Sequence, residues 1–150
     1  MKLTSEAFEN ESRIPVRHTC DGENISPSLI FSDVPGDTRA FALIAEDPDV
    51  PASVREDGMW NHWVVFDIPP DVRYVPIGEE PPGIQGKGTN GEKGYFGPCP
   101  PDREHRYYFK LYALDTTLGL PEGSEKKAVL KAMDGHVIEE AALMGLYERQ

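Results

Sequence analysis

Apolar residues along the chain cluster in short runs that have the length and spacing of β-strands. The segment AFALIAE (40–46) is almost continuously apolar, which is typical of a strand buried on both faces of a sheet. The segment HWVVFDI (62–68) is rich in aromatic and β-branched residues, which favour strands. In YYFKLYAL (107–114) the side chains alternate between two faces. We predict that these three segments are the core strands.

Shorter strand-like segments occur nearer the start of the chain. They are KLTSEAF (2–8), RIPVRHT (13–19) and LIFSDV (29–34), and turn-forming residues such as Asp-Gly and Pro-Gly-Asp follow them. No period of 20–50 residues repeats, which excludes a solenoid. The first three quarters of the chain are therefore predicted to be mostly β.

Residues 78–101 follow neither a strand pattern nor a helix pattern. Twelve of these 24 residues are glycine or proline, which excludes a helix and a central strand. A loop of this length within a compact domain is usually functional or disordered. The prolines and the aromatic pair Tyr95–Phe96 favour an ordered, functional loop.

Helical patterns appear only near the end of the sequence. Ser124 is a suitable N-cap for EKKAVLKAM (125–133), and Asp134 could cap a second helix in GHVIEEAALMGLYER (135–149). In the second segment an apolar stripe is formed by Val137, Ile138, Ala141, Met144 and Leu146. Together the elements predict one mostly-β domain over residues 1–150, with two packed antiparallel sheets in a Greek-key-like β-sandwich and C-terminal α-helices.

The charge of the chain restricts its partners. It carries 26 acidic and 15 basic residues, a net charge of −11 at pH 7. Long-range repulsion argues against nucleic acid and against stable association with an anionic membrane. The sequence opens with no apolar leader and contains no membrane-length apolar run, so we expect a cytoplasmic, unanchored protein.

The two cysteines, Cys20 and Cys99, both lie in loop-like segments. They are too few for a secreted disulfide scaffold, and they lack metal-ligand spacing. Two interpretations stay open: a pair of buried thiols, or a disulfide that joins the two loops. The scarcity of glutamine and asparagine is typical of heat-adapted proteins, in which intracellular disulfides occur.

Polar side chains stand at the ends of the three predicted core strands. Asp47 and Asp49 follow the first strand, His62 begins the second, and His105 and Tyr107 begin the third. Strand ends of this kind often meet at one rim of a sheet. Two imidazoles, two carboxylates and a phenol are therefore expected to converge there.

Three motifs carry a resemblance to a known family. In order and spacing, DPDVP (47–51), HWVVFDIP (62–69) and GYFGPCPP followed by HRYYFKLYALD (105–115) resemble the phosphatidylethanolamine-binding protein family, which includes Raf kinase inhibitor protein. The likeness covers about residues 13–147 and is closest to the shorter bacterial and archaeal branch. It implies two antiparallel sheets with a small anion-binding cavity at one end, a homodimer, and a cis peptide at Val50–Pro51.

The resemblance also implies a set of ligand-binding residues. They are Asp47, His62, His105 and Tyr107, with Gly97 and Pro98 from the loop and with Asp49, Pro51 and Trp60 in support. An anion in so acidic a protein needs donors, which imidazolium rings, a tyrosine hydroxyl and loop amides would supply. We expect Asp47 to orient His62 or His105, and we expect a phosphate or phosphoryl head group to bind more tightly as the pH falls from about 8 to about 6.

Three other functions compete with this small-anion-binding, regulatory role. Cys99 with a histidine, or Asp47 with His105, would be the starting point for a hydrolase. Asp47, His62 and His105 together could bind zinc. The proline-rich loop could instead inhibit a serine protease or a kinase by direct contact. We expect a binding protein that is not an enzyme and that uses neither a cofactor nor a metal.

Overall fold

The computed structural model describes residues 1–150 and contains two β-sheets and one α-helix. Its strands are β1 (Lys2–Thr4), β2 (Ser12–Arg13), β3 (Leu29–Ser32), β4 (Ala40–Asp47), β5 (Trp60–Ile68), β6 (Tyr74–Val75), β7 (Ile84–Gln85), β8 (His105–Leu114) and β9 (Val137–Tyr147). The helix α1 (Lys126–Met133) precedes β9, and a 3₁₀ turn covers Val16–His18. The mostly-β prediction is confirmed.

The smaller sheet has the strand order β1-β3-β6, and the larger sheet has the order β2-β9-β8-β4-β5-β7. All strand pairs are antiparallel except β2 and β9, which run parallel. The expectation of purely antiparallel sheets therefore fails at this one edge. There, two residues near the start of the chain pair with the last strand.

The three predicted core strands form the centre of the larger sheet, and β4 is buried along its whole length. Phe41 and Leu43 lie on one face of β4, in the main core that also contains Phe31 of the smaller sheet. Ala42 and Ile44 lie on the other face, in a second cluster that includes residues of α1. This double burial is the reason why the sequence of β4 is apolar without alternation.

The prediction of a second C-terminal helix is wrong, because residues 137–147 form β9. The strand pairs with β8 from His105 to Leu114, and its C-terminal half alternates, with Leu143, Gly145 and Tyr147 buried. Asp134 ends α1 instead of starting another helix, and Gly135 follows it with a φ of +80°, as is common after a helix C-terminus. The long pairing with β8 outweighs the helix propensity of alanine and glutamate in this segment.

Three local expectations have different outcomes in the structure. Ser124 does not cap α1: the N-cap is Glu125, and the Ser124 hydroxyl donates to the carbonyl of Pro121. The chain has no cis peptide, so the expected cis bond at Val50–Pro51 is trans here. Cys20 and Cys99 form a disulfide across 79 positions of sequence.

The helical content of the chain bears on membrane insertion. No helix is long and apolar enough to span a bilayer.

Candidate functional site

The polar ends of the three central strands meet at one rim of the larger sheet. Since β4 runs antiparallel to both of its neighbours, its C-terminal end lies beside the starts of β5 and β8. Asp47 is thereby paired with Trp60, and a pocket of about 200 Å³ opens at this rim. The pocket is lined by Asp47, Val50, Val54, Trp60, His62, Phe96, Cys99, Pro101 and His105.

His105 is held between two carboxylates. Its Nδ1 lies 2.6 Å from Oδ2 of Asp47, and its Nε2 lies 2.6 Å from Oδ1 of Asp102. The His105 side chain is completely buried. A neutral imidazole can donate from only one ring nitrogen, whereas an imidazolium donates from both. The arrangement thus matches a ring that carries two protons.

Asp47 uses both of its carboxylate oxygens inside the protein. Oδ2 faces His105, and Oδ1 accepts a hydrogen bond from the backbone N–H of Asp49 at 2.8 Å. Burial raises the pKa of the Asp47 carboxyl, and these hydrogen bonds offset only part of that effect. Asp47 therefore orients the His105 ring, as expected for one of the two histidines.

His62 presents one free nitrogen to the pocket. Its Nδ1 lies 2.6 Å from the carbonyl oxygen of Phe96, which makes Nδ1 the protonated nitrogen of the neutral ring. Burial lowers the pKa of His62 to about 4. At neutral pH the ring is uncharged, and its Nε2 is a hydrogen-bond acceptor. The expectation that both histidines act as imidazolium donors therefore does not hold for His62.

Tyr107 lies behind the pocket lining, between the two histidines. Its ring meets His62 edge-on at 5.4 Å between centroids and stacks on His105 at 6.3 Å. The buried hydroxyl has no hydrogen-bond partner. Burial, reinforced by the nearby Asp47 carboxylate, raises the pKa of Tyr107, so the hydroxyl keeps its proton. It is a donor beside the site, and the Asp47 carboxylate lies near it.

Asp49 and Pro51 support the rim and do not line the pocket. Asp49 accepts hydrogen bonds from the backbone N–H, Nε and Nη2 of Arg106. These bonds lower the pKa of Asp49 to about 2. The resulting ion pair ties the turn after β4 to the start of β8. Asp49 thus stabilises the geometry of the pocket from outside it.

The loop at 95–99 is fastened to residues 18–24. The N–H of Gly97 donates to Oδ1 of Asn24 at 2.8 Å, and the carbonyl of Pro98 accepts from the N–H of Cys20 at 3.1 Å. A side chain at Gly97 would place a Cβ 2.1 Å from the carbonyl oxygen of His18, so the close approach requires glycine. Contrary to expectation, the amide of Gly97 is engaged within the protein and does not face the pocket.

Sequence reasoning found the polar groups of the site more fully than its walls. Asp47, Trp60, His62 and His105 all line the pocket, whereas Tyr107, Gly97 and Pro98 lie behind it. Val54, Pro101 and the carboxylate on His105 were missed. Asp102 stands three positions before His105 in an irregular segment, and this spacing predicts no contact outside a helix.

The residues of the rim form no metal centre. No group of three or more His, Cys, Asp or Glu side chains is arranged to hold a metal ion, and both His105 nitrogens face carboxylates. Cys99 lines the pocket as half of a disulfide, so it has no thiol to serve as a nucleophile.

Comparisons with known proteins agree with this architecture. The family model described as phosphatidylethanolamine-binding protein matches residues 4–148. A UPF0098 protein of Chlamydia trachomatis is 52% identical over 149 residues, with 99% of both chains covered. A UPF0098 protein of Methanothermobacter thermautotrophicus is also 52% identical, over 155 residues, with 99% of both chains covered.

Two solved structures extend the match to three dimensions. A phosphatidylethanolamine-binding protein homologue from Chlamydia trachomatis superimposes with a TM-score of 0.97 at 52% identity, over 99% of this chain and 97% of that chain. YbcL of E. coli, described as a member of the mammalian family, gives a TM-score of 0.89 at 32% identity, over 99% and 98% of the two chains. The full-length match of sequence and fold means that this chain belongs to the phosphatidylethanolamine-binding protein family.

Proposed function

We propose that the rim pocket binds a small anion of the phosphoryl class and that the protein acts by binding and not by catalysis. The observation that carries the proposal is the completely buried His105 ring, which stands between two carboxylates at the pocket. An anionic oxygen that takes the place of Asp102 Oδ1 on Nε2 would receive a strong, charge-assisted hydrogen bond from this ring. In a chain of net charge −11, such a local donor is needed to hold an anion.

The other polar groups suit a phosphoryl group that carries one proton. Nε2 of the neutral His62 can accept a hydrogen bond from a P–OH group. A phosphoryl monoester takes up that proton at a pH of about 6. Binding should therefore strengthen as the pH falls from about 8 to about 6. The cause is protonation of the ligand and not protonation of His62.

The apolar part of the pocket favours an organic phosphoryl compound over the bare ion. Val50, Val54, Trp60 and Phe96 are the apolar part of the pocket lining. Apolar side chains gain free energy by burying a carbon substituent, at roughly 25 cal/mol per Å². The volume of about 200 Å³ suits a small head group.

The chemistry of the same polar groups argues against catalysis. The Asp47 carboxylate is committed to His105 and to a backbone amide, so it is not free to activate water. His62 is the one unengaged base, and its low pKa makes it a weak acceptor of a proton. We therefore expect a phosphate monoester incubated with the protein to remain intact.

The test is an NMR titration of the histidine rings with inorganic phosphate and with phosphorylethanolamine, at pH 6 and at pH 7.5. The signals of His62 and His105 should shift saturably, while His18 and His136, which lie outside the pocket, serve as internal references. His105→Asn keeps a donor towards Asp47 but removes Nε2, and it should abolish the shift of the His62 ring. Replacement of the exposed His136 by asparagine should leave the shifts of His62 and His105 unchanged. Unmoved rings of His62 and His105 with both ligands would contradict the proposal.

A further inference from the structure

We propose that Asp102 is a built-in carboxylate competitor: it occupies the position of an external anion on His105 and leaves when the anion binds. The inference rests on the proposed function of the pocket and adds a specific barrier to ligand entry. Its basis is the contact between Oδ1 of Asp102 and Nε2 of His105 at 2.6 Å. Nε2 is the only ring nitrogen of His105 that Asp47 leaves free.

The two carboxylates on His105 differ in how firmly they are held. The Asp47 side chain is 4% exposed, at the end of β4, and a backbone N–H fixes its second oxygen. The Asp102 side chain is 40% exposed and belongs to an irregular segment between Pro101 and Arg103. Asp47 is therefore the permanent partner of the ring, and Asp102 is the partner that can leave.

When Asp102 leaves and an anion takes its place, no charged group remains buried without a partner. Its carboxylate can turn towards water, and the guanidinium of Arg103, already 3.7 Å away, is the neighbouring cation. The His105 ring keeps its orientation through Asp47, so Nε2–H continues to point along the same line. An anionic oxygen that takes the place of Oδ1 thus receives the same charge-assisted hydrogen bond.

The contact also affects the Asp102 carboxyl itself. Partial burial raises its pKa, but the hydrogen bond and the charge of His105 outweigh burial and leave the pKa below its usual value. The internal ligand is therefore ionised at neutral pH and competes as an anion. Because a ligand attached to the same chain acts at an effective concentration on the order of millimolar or more, dilute external carboxylates cannot displace it easily.

This competition narrows the class of ligand that the pocket accepts. A phosphoryl group that carries one proton can accept from Nε2 of His105 through one oxygen and donate its P–OH proton to Nε2 of His62. A monocarboxylate only reproduces the contact that Asp102 already makes. Asp102 thereby favours phosphoryl anions in the concentration range where simple carboxylates fail to bind.

The experiment compares the affinity for inorganic phosphate in the wild-type protein and in three variants. Asp102→Asn removes the competing charge but keeps the shape, and Asp102→Ala removes the competitor entirely. Glu104→Gln removes one exposed negative charge from the same segment and is the matched control. Dissociation constants come from the His62 and His105 ring signals, and thermal unfolding verifies that each variant is folded.

We expect both Asp102 variants to bind phosphate about tenfold or more tightly than the wild type, as loss of a hydrogen bond to a charged group implies. Glu104→Gln should change the affinity by about twofold or less, the size of an exposed charge effect. Acetate should bind measurably only when Asp102 has been replaced.

The outcomes separate this inference from the proposed function. If the wild type binds phosphate and the Asp102 variants bind it equally or more weakly, Asp102 holds the ring in place and does not compete, and the inference is overturned. If the Glu104 control gains as much affinity as the Asp102 variants, a general charge effect replaces the inference. If none of the four proteins binds phosphate or acetate, the proposed function fails and the inference fails with it.

Discussion

Acidification should destabilise the fold in part through one buried ring, that of His62. The pKa of this ring is lowered to about 4 from 6.5 because burial disfavours the charged form. In the unfolded chain the same ring takes up a proton near pH 6.5, so between these two values the unfolded state binds more protons than the folded state. Stability is therefore lost as the pH falls from about 6.5 towards about 4, and the His62 contribution changes little below that.

The size of the stability loss follows from the shift of the His62 pKa. Each pKa unit corresponds to about 1.4 kcal/mol, so a shift of this size is equivalent to about 3 kcal/mol between pH 7 and pH 4. Other groups titrate in the same window: the raised pKa of Asp47 acts in the opposite direction and the lowered pKa of His18 acts in the same direction. These effects cancel when the free energy of unfolding of the wild type is compared with that of a His62 variant that keeps Asp47 and His18.

The assay is urea unfolding at pH 7, 6, 5 and 4 on the wild type and on His62→Asn, with the disulfide intact. The asparagine amide can still donate to the carbonyl of Phe96, so the local structure is preserved while the titrating ring is removed. The free energy of unfolding of the wild type, relative to the variant, should fall by about 3 kcal/mol from pH 7 to pH 4. His136→Asn removes a half-exposed ring elsewhere and controls for the loss of a histidine in itself. A relative free energy that stays constant within about 1 kcal/mol, or that changes equally in both variants, would refute the reasoning.

Three further predictions concern the scaffold around the pocket. Reduction of the disulfide, which spans 79 positions, should lower the free energy of unfolding by roughly 2–4 kcal/mol; an unchanged urea midpoint would contradict this. Asp49→Asn should lower the free energy of unfolding by about 1–3 kcal/mol at pH 7. Because Arg106 lowers the pKa of Asp49 to about 2, this loss of stability should shrink as the pH falls from about 4 to about 2. A loss that does not depend on pH would argue against the ion pair. Gly145→Ala should destabilise by about 1–3 kcal/mol, because its Cβ would lie 2.4 Å from Cγ1 of Ile14; a thermal midpoint equal to the wild-type value would show that the core can adjust.

The strands with the strongest patterns were predictable from the sequence alone. β4, β5 and β8 have apolar runs whose length and composition allow few alternatives, and these strands also place Asp47, His62 and His105 at the rim. β9 was not predictable in this way, since its alanines and glutamates favour a helix and its partner β8 is decisive only in three dimensions.

The position of Asp102 lies beyond sequence reasoning for a different physical reason. Its contact with His105 depends on the path of an irregular segment that contains Pro100 and Pro101, and no periodicity describes such a path. The same applies to the Gly97 amide, which was expected to face a ligand and instead bonds to Asn24. Strand patterns therefore locate the site, while loop conformations determine which of its donors are free.

The parallel pairing of β2 with β9 has a consequence for the order in which the sheet can be completed during synthesis. Residues Ser12 and Arg13 are synthesised before their partners Gly145 and Leu146, which follow more than 130 positions later in the chain. Until β9 has been synthesised, β8 has an unpaired edge of ten residues, which can pair with a strand of another nascent chain. A premature stop after α1 would leave that edge permanently exposed, so truncated copies of this protein should aggregate instead of persisting as smaller folded domains.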